Sequence, residues 1–262
     1  MKILNKLALT LLLTMPAVIH AGGLGIYVPI SLGDTMDVTV TPDFGSKQDY
    51  DQTTNFDTST GFGLTYDSNL GKDELYNYRL GVEWMDRTVD SVSANGNTYN
   101  CKNDCDMFRF QVVQTFGFGV LRTEMVRLWV GPRINVGYNY NDTTTGGVES
   151  SEVNFELGIA PAVGVNLNFG RWFAVAADLD YRFAYTGGGR TTKTILSNSE
   201  NTASYSGSNN GASLRLYAIF KFGEDYREGT QFESQEPQQS LESDKPQESQ
   251  QSLDAEPTQE LN

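Results

Sequence analysis

The residues most able to do chemistry in this chain are arginines and carboxylates that recur at every second position of otherwise apolar segments. Asp178, Asp180 and Arg182, for example, are separated by one leucine and one tyrosine. Successive side chains of a β-strand point to opposite faces, so this spacing gathers the charges on one face. The charged side chains predicted to share one interior are Arg79, Glu83, Arg109, Arg127, Arg133, Glu156, Asp178, Asp180, Arg182 and Arg215.

Two chemistries are open to these charges. Paired carboxylates can act as general acid and base, and Asp178 with Asp180 is the best such pair, but both can equally serve as partners for arginines on the same face. The only histidine, His20, lies in a predicted signal sequence, so the mature chain would lack the side chain that most often transfers protons near neutral pH. We predict that the protein is not an enzyme and has no catalytic residue and no bound cofactor.

The remaining candidates for a site are cysteines and aspartates. Cys101 and Cys105 are the only cysteines, and in an exported protein they predict a disulfide that closes a tight loop. A metal site would need more ligands than this pair supplies. The aspartates of 33–59 could offer oxygen ligands to calcium, but their spacing is not that of a calcium loop. We therefore predict a solvated acidic loop and no metal site.

The two ends of the chain differ from the rest in composition. Residues 1–21 carry two lysines, a short apolar run and a small-residue cleavage site, which predicts a secretory signal peptide. Residues 223–262 contain 11 acidic residues against Arg227 and Lys245 and few apolar ones, which predicts a disordered tail. The formal net charge of −14 argues against nucleic acid as a partner.

Between these ends, runs of alternating apolar residues predict eight strands. Long polar stretches at 33–59, 87–106, 141–152 and 186–210 alternate with short links. This alternation predicts an up-and-down meander with all its long loops at one rim, as in barrels of the outer membrane. The strands are predicted at 24–32, 60–67, 76–86, 107–120, 126–140, 153–169, 172–185 and 211–222.

The outward face of these strands carries aromatic residues near both ends and aliphatic residues between them. Trp84, Tyr140 and Phe155 lie at the predicted outer rim, and Tyr76 and Phe118 lie at the inner rim. Aromatic rings prefer the headgroup level of a bilayer, so two such bands indicate a strand barrel that crosses a membrane. An eight-stranded barrel is just wide enough for side chains to fill it.

The signal sequence, strand number, loop alternation, aromatic bands and the aromatic-ended last strand, 214–222, together resemble the small eight-stranded outer-membrane proteins of Gram-negative bacteria, the group that includes OmpX, the opacity proteins and the OmpA transmembrane domain. The resemblance covers about 22–222. It implies a monomer in outer-membrane lipid, inserted by the barrel-assembly machinery, with its tail in the periplasm. This chain departs from the group because a tail follows Phe222 and because Tyr217 stands where a glycine is usual.

Two functions remain open at this stage. The first is a non-enzymatic barrel that presents four long polar loops outside, for surface interaction, adhesion or envelope integrity, with an unknown extracellular ligand; it is favoured because binding residues tend to lie on loops held by a rigid frame. The second is a narrow channel for small, anionic solutes through a lumen in which seven cations face five acids, once Lys221 and Asp67 are added to the ten charges named above. A salt-bridged plug favours the first function, and a hydrated lumen favours the second.

Overall fold

The computed structural model describes residues 22–43, 48–68, 75–101, 105–145, 148–194 and 199–222. The predicted signal peptide, the predicted tail and the predicted short link at 69–72 lie outside these residues. In the described part no helix is long and apolar enough to cross a membrane.

All ten regular elements in the described residues are β-strands, and every pairing between them is antiparallel. The strands are β1 (Gly22–Pro42), β2 (Tyr50–Phe56), β3 (Ser59–Ser68), β4 (Tyr76–Ala94), β5 (Asn97–Asn100), β6 (Asp106–Arg122), β7 (Val126–Thr145), β8 (Val148–Phe169), β9 (Phe173–Thr194) and β10 (Ser199–Phe222).

The strands form a closed ring because β1 pairs with β10, from Gly22 opposite Phe222 to Pro42 opposite Ala203. β2 and β3 both pair with β1 and β4 and together occupy one place in the ring, while β5 only extends β4 as an outer hairpin. Eight strands therefore surround the lumen, and the predicted all-β antiparallel barrel is confirmed.

An apolar belt covers the outside of the ring. Leu157, Ile159 and Leu216 are each about half exposed on its surface. Aromatic side chains touch across neighbouring strands at both margins of the belt. At the inner margin Phe173 contacts both Phe169 and Phe220, with ring centres 6.3 and 5.6 Å apart. At the outer margin the contacts are Trp84–Phe110 and Tyr138–Phe155.

The strands extend well beyond the outer aromatic margin, which corrects the prediction of four long loops. Most of 33–59 is the outer half of β1 together with β2, and β7 and β8 stay paired as far as Thr145 opposite Val148. β9 and β10 remain paired to Thr194 opposite Ser199. The barrel wall therefore continues beyond the outer aromatic margin. We call the strand segments beyond this margin the outer extension.

A bulge in β1 separates its lipid-facing half from the half that belongs to the outer extension. Relative to β10, β1 contains one extra residue between Ser31 and Asp34, where Gly33 has a φ of 102°. This left-handed conformation carries little cost for glycine only. Because the extra residue shifts the alternation by one, Asp34 and Met36 face inward, whereas strict alternation would turn them outward.

Prolines interrupt the ladder without shifting its register. Pro132 lies directly opposite Pro161 in the β7–β8 pair. On the far side of each proline the pairing is missing and then resumes in the same register, between Thr115 and Phe118 of β6 and between Ile159 and Ala162 of β8. Proline has no N–H to donate, so a local loss of ladder bonds is expected.

Candidate functional site

The structure places all ten predicted lumen charges inside the barrel wall, where each is at most 4% exposed. They fall into two ionic groups at different heights of the lumen, and one of the ten, Arg127, lies outside both. Arg127 lies near the inner rim, where its Nη2 donates to the Leu75 carbonyl at 3.4 Å.

The inner ionic cluster is organised by guanidinium groups shared between carboxylates. Arg133 donates to Asp178 at 2.8 and 2.9 Å and also contacts Asp180. Arg215 joins Asp180 to Glu83, the latter through Nε at 2.9 Å. The cluster consists of Asp67, Arg79, Glu83, Arg133, Asp178, Asp180 and Arg215.

These contacts support the ion-pair interpretation of the two candidate catalytic aspartates. Asp178 accepts hydrogen bonds from Arg79 at 3.0 Å and from Arg133, and Asp180 accepts from Arg133 and Arg215. The pair therefore joins β9 to β4, β7 and β10 through shared arginines.

The outer ionic cluster surrounds Asp34, and this corrects the prediction that Asp34 lies in a solvated loop. Asp34 is 3% exposed, and its Oδ2 lies 2.8 Å from Arg87, 2.9 Å from Arg182 and 3.6 Å from Arg109. Glu156 completes the group, at 3.0 Å from Arg109 and 3.7 Å from Arg87. The outer ionic cluster is thus Asp34, Arg87, Arg109, Glu156 and Arg182.

Asp34 and Arg87 were missed for identifiable reasons. Asp34 follows the bulge, so its facing cannot be read from the alternation of 24–32. Arg87 continues the inward series of Arg79 and Glu83, but the strand was predicted to end at 86. With both included, the inner cluster holds three arginines against four acids and the outer cluster three against two. The two clusters together balance at six and six, so the excess of two cations on which the anion-channel prediction rested lies outside them, at Arg127 and Lys221.

Aromatic rings fill the space between the inner charges. The Tyr27 ring lies where a Cβ on Gly63 would be 2.2 Å from it, stacks on Tyr217 at 4.8 Å and donates from its hydroxyl to Glu83. Trp129 is fully buried and occupies the space left by Gly164. Rings packed against side-chain-free backbone leave little room for water along the axis.

Above the outer ionic cluster, apolar side chains enter the interior beside buried polar ones such as Gln52 and Asn154. Arg87 of that cluster lies 3.5 Å from the centre of the Phe56 ring, which forms the boundary. The inward-facing side chains of the outer extension form a buried apolar cluster: Met36, Val38, Val40, Phe56, Val89, Met107 and Tyr205. A polar lumen inside a lipid-facing wall is therefore followed by an apolar core inside a water-facing wall.

A pocket of about 210 Å³ lies over this apolar cluster, inside the outer extension. Met36, Val89 and Met107 line its apolar part, and side chains of β2, β7 and β8 line a polar part. We call it the outer pocket.

Cys101 and Cys105 also line the outer pocket and pack against the apolar cluster. Their Cα atoms are 5.7 Å apart, within the range that a disulfide spans. The disulfide itself stays a prediction.

A hydrogen-bonded triad forms the charged wall of the outer pocket. Arg190 donates to Glu152 from Nε at 3.0 Å and from Nη2 at 2.7 Å, and the Tyr205 hydroxyl donates to the other Glu152 oxygen at 2.7 Å. Burial alone would lower the pKa of Arg190, but the Glu152 carboxylate raises it above its usual value. Burial and the same carboxylate raise the pKa of Tyr205. The triad thus pairs the Arg190 guanidinium with the Glu152 carboxylate and adds a hydroxyl that donates to the same carboxylate.

The acidic stretch predicted as a solvated loop is mostly regular strand. Exposed Asp37 and Asp51 accept hydrogen bonds from Thr53 and Thr39 on the neighbouring strand, at 2.6 and 3.0 Å. Within the described residues no group of three or more histidine, cysteine, aspartate or glutamate side chains could hold a metal ion.

A closed ring of strands with an apolar belt outside, aromatic margins and a charged, filled lumen is an outer-membrane β-barrel. Among solved structures the chain is similar to the outer-membrane protein OprG of Pseudomonas aeruginosa, with 14% identity, 78% of this chain and 97% of OprG covered, and a TM-score of 0.53. It is also similar to Ail, the attachment invasion locus protein of Yersinia pestis, with 15% identity over 77% and 99% of the two chains and a TM-score of 0.36. The outer-membrane protease OmpT of Escherichia coli matches at 9% identity over 76% and 96%, with a TM-score of 0.40.

Of these three matches, the one to OprG exceeds a TM-score of 0.5, and at 14% identity it shows the fold alone. No known family profile matches the chain, and no curated protein matches it.

Proposed function

We propose that this protein is a non-enzymatic barrel of the Gram-negative outer membrane that acts in surface interaction, adhesion or envelope integrity through its outer extension, while its lumen is a structural plug. The observation that carries the proposal is the balance of the two ionic clusters. Six arginines and six carboxylates join across the lumen, and a buried charge is tolerated only where it is paired and hydrogen-bonded in this way.

The plug leaves the outer extension as the part able to meet a partner. Its strands are held in one wall from β1 to β10, so its surface residues have fixed positions. A partner that binds a pre-ordered surface does not have to order it first, which improves affinity. We propose that the protein works as a monomer and is inserted by the barrel-assembly machinery, as its resemblance to the small barrels implies.

The test shortens the outer extension and leaves the membrane part intact. Asp142 pairs with Ser151, so residues 143–150 can be replaced by Asn-Gly, a two-residue hairpin turn. The full chain, the shortened chain and, as the matched control, a chain without residues 223–262 are each expressed in a laboratory Gram-negative strain. Attachment of cells to protein-coated surfaces and sensitivity to detergent are then measured.

Two results support the proposal and separate its branches. Loss of attachment in the shortened chain, with the tail deletion unchanged, indicates surface interaction. A rise in detergent sensitivity of the shortened chain alone indicates envelope integrity. If the shortened chain matches the full chain in both measurements, the outer extension does not carry the function and the proposal is wrong.

A further inference from the structure

We propose that the outer pocket is a binding site for a small, neutral, amphipathic molecule about the size of a substituted benzene. This inference goes beyond the surface interaction proposed above, because it concerns a pocket within the outer extension and its test does not use adhesion.

The size of the ligand follows from the pocket volume. The outer pocket measures about 210 Å³, whereas a dry protein cavity of about 150 Å³ holds one benzene molecule. The volume therefore fits a ring with one small polar substituent.

The apolar lining at the base of the pocket favours a ligand with an apolar group. Met36, Met107 and Val89 are 1%, 3% and 4% exposed and separate the pocket from the charged lumen beneath. Water gains few hydrogen bonds against such a floor, so an apolar group that displaces it is stabilised. Since these side chains close the lower end, the pocket is a place to bind rather than a passage.

The polar lining of the pocket favours a ligand that also carries a polar group. Thr54, Gln52, Asn141, Thr143 and Ser150 line it and supply amide and hydroxyl groups that both donate and accept hydrogen bonds.

The two charged residues of the wall, Glu152 and Arg190, do not favour a charged ligand. Glu152 is 7% exposed, and its two oxygens accept three hydrogen bonds from Arg190 and Tyr205. Because Arg190 and Glu152 already neutralise each other, an added charge would be desolvated without meeting an uncompensated counter-charge. The favoured polar group is a hydroxyl or an amide.

The experiment measures binding of 4-fluorobenzyl alcohol by ¹⁹F NMR to the refolded protein in lipid nanodiscs. Ser150→Phe places a ring in the pocket, and Thr143→Phe does the same from the paired position on β7. The matched control is Leu157→Phe, on the same strand as Ser150 but on the lipid-facing surface. Folding of each variant is checked by the change in gel mobility on heating.

We expect saturable binding to the native chain and to Leu157→Phe, and at least tenfold weaker binding to whichever ring variant folds. 4-Fluorobenzoate and 4-fluorobenzylammonium should bind the native chain at least tenfold more weakly than the alcohol. Equal, non-saturable partitioning in all variants would overturn the site. Equal saturable binding to a folded ring variant would also overturn it, and tighter binding of either charged probe would overturn the assignment of a neutral ligand.

Discussion

At the scale of single residues, Asp34 is the most consequential side chain of the lumen. One of its carboxylate oxygens lies within 3.6 Å of three arginines, and nearly all of its surface is buried. Loss of this charge leaves Arg87, Arg109 and Arg182 with Glu156 as their shared acid. Removing one member of a buried ionic group is costly because the remaining charges are then uncompensated.

We therefore predict that Asp34→Asn lowers the free energy of unfolding by about 3–5 kcal/mol. The control is Asp37→Asn, three residues further along β1, where an exposed carboxylate accepts one hydrogen bond from Thr53; its effect should be below about 1 kcal/mol. The measurement is the urea midpoint of the compact, heat-modifiable gel band. Equal midpoints for the two variants would contradict the assigned role of Asp34.

A second residue-scale prediction concerns Cys101 and Cys105. Their geometry and the oxidising compartment favour a disulfide. Mass measurement after alkylation without a reducing agent should therefore find no modified cysteine in the native protein. Two alkylated thiols would show that both side chains merely pack against the apolar cluster.

At the same scale, the sequence predicted the ten lumen charges because period-two alternation is strict within the lipid-facing segments. It could not predict Asp34, since the facing of that residue depends on one extra residue that pairs with nothing in β10. Nor could it predict which arginine meets which carboxylate. Arg79 and Asp178 are 99 positions apart in sequence, and only ring closure and strand register bring them together.

At the scale of elements, the bulge at Gly33 sets the facing of the outer half of β1. Alanine at a φ of 102° is strained, with a cost of about 1–2 kcal/mol, although a Cβ there would make only an ordinary contact with the Phe56 carbonyl. Gly137 is the matched control, since its backbone is regular and a Cβ would be at least 3.4 Å from its neighbours.

We predict that Gly33→Ala lowers the free energy of unfolding by about 1–2 kcal/mol. Gly137→Ala should leave it unchanged or raise it by about 0.4–1 kcal/mol, because alanine restricts the unfolded chain. Urea midpoints in the same membrane mimetic compare the two variants. A stabilising effect of Gly33→Ala would mean that the left-handed turn is not needed to position β1.

The strand ends were predicted too early for a physical reason. In the lipid-facing part the outward residues are apolar and the inward ones polar, and the predicted strands end where that contrast ends. Beyond the aromatic margin the contrast reverses, so Met36, Val38 and Val40 alternate with polar residues but on the inward face. That alternation is visible in the sequence, and it is the signal that could have extended β1 past residue 32.

At the scale of the whole molecule, the filled lumen predicts that the protein does not conduct ions across a bilayer. Refolded protein in a planar bilayer should give no discrete conductance steps, with insertion verified by the heat-dependent gel shift. The ionic clusters and the buried Trp129 and Tyr27 rings occupy the lumen, and this is why we expect no ion current. Anion-selective steps that diminish in Arg133→Ala or Arg109→Ala would instead establish the channel function.

The reversal of polarity with height has a consequence for how this protein would be detected on cells. The outer extension has a buried apolar core and hydrogen-bonded strands, as a water-soluble domain does. Proteases cut backbone that can leave its sheet, and a paired strand around such a core rarely does. Treatment of intact bacteria with trypsin would therefore spare Arg190 and Lys193, both within the β8–β9 ladder. A shaving experiment that relied on cleavage at these two positions would then count a surface-exposed protein as hidden.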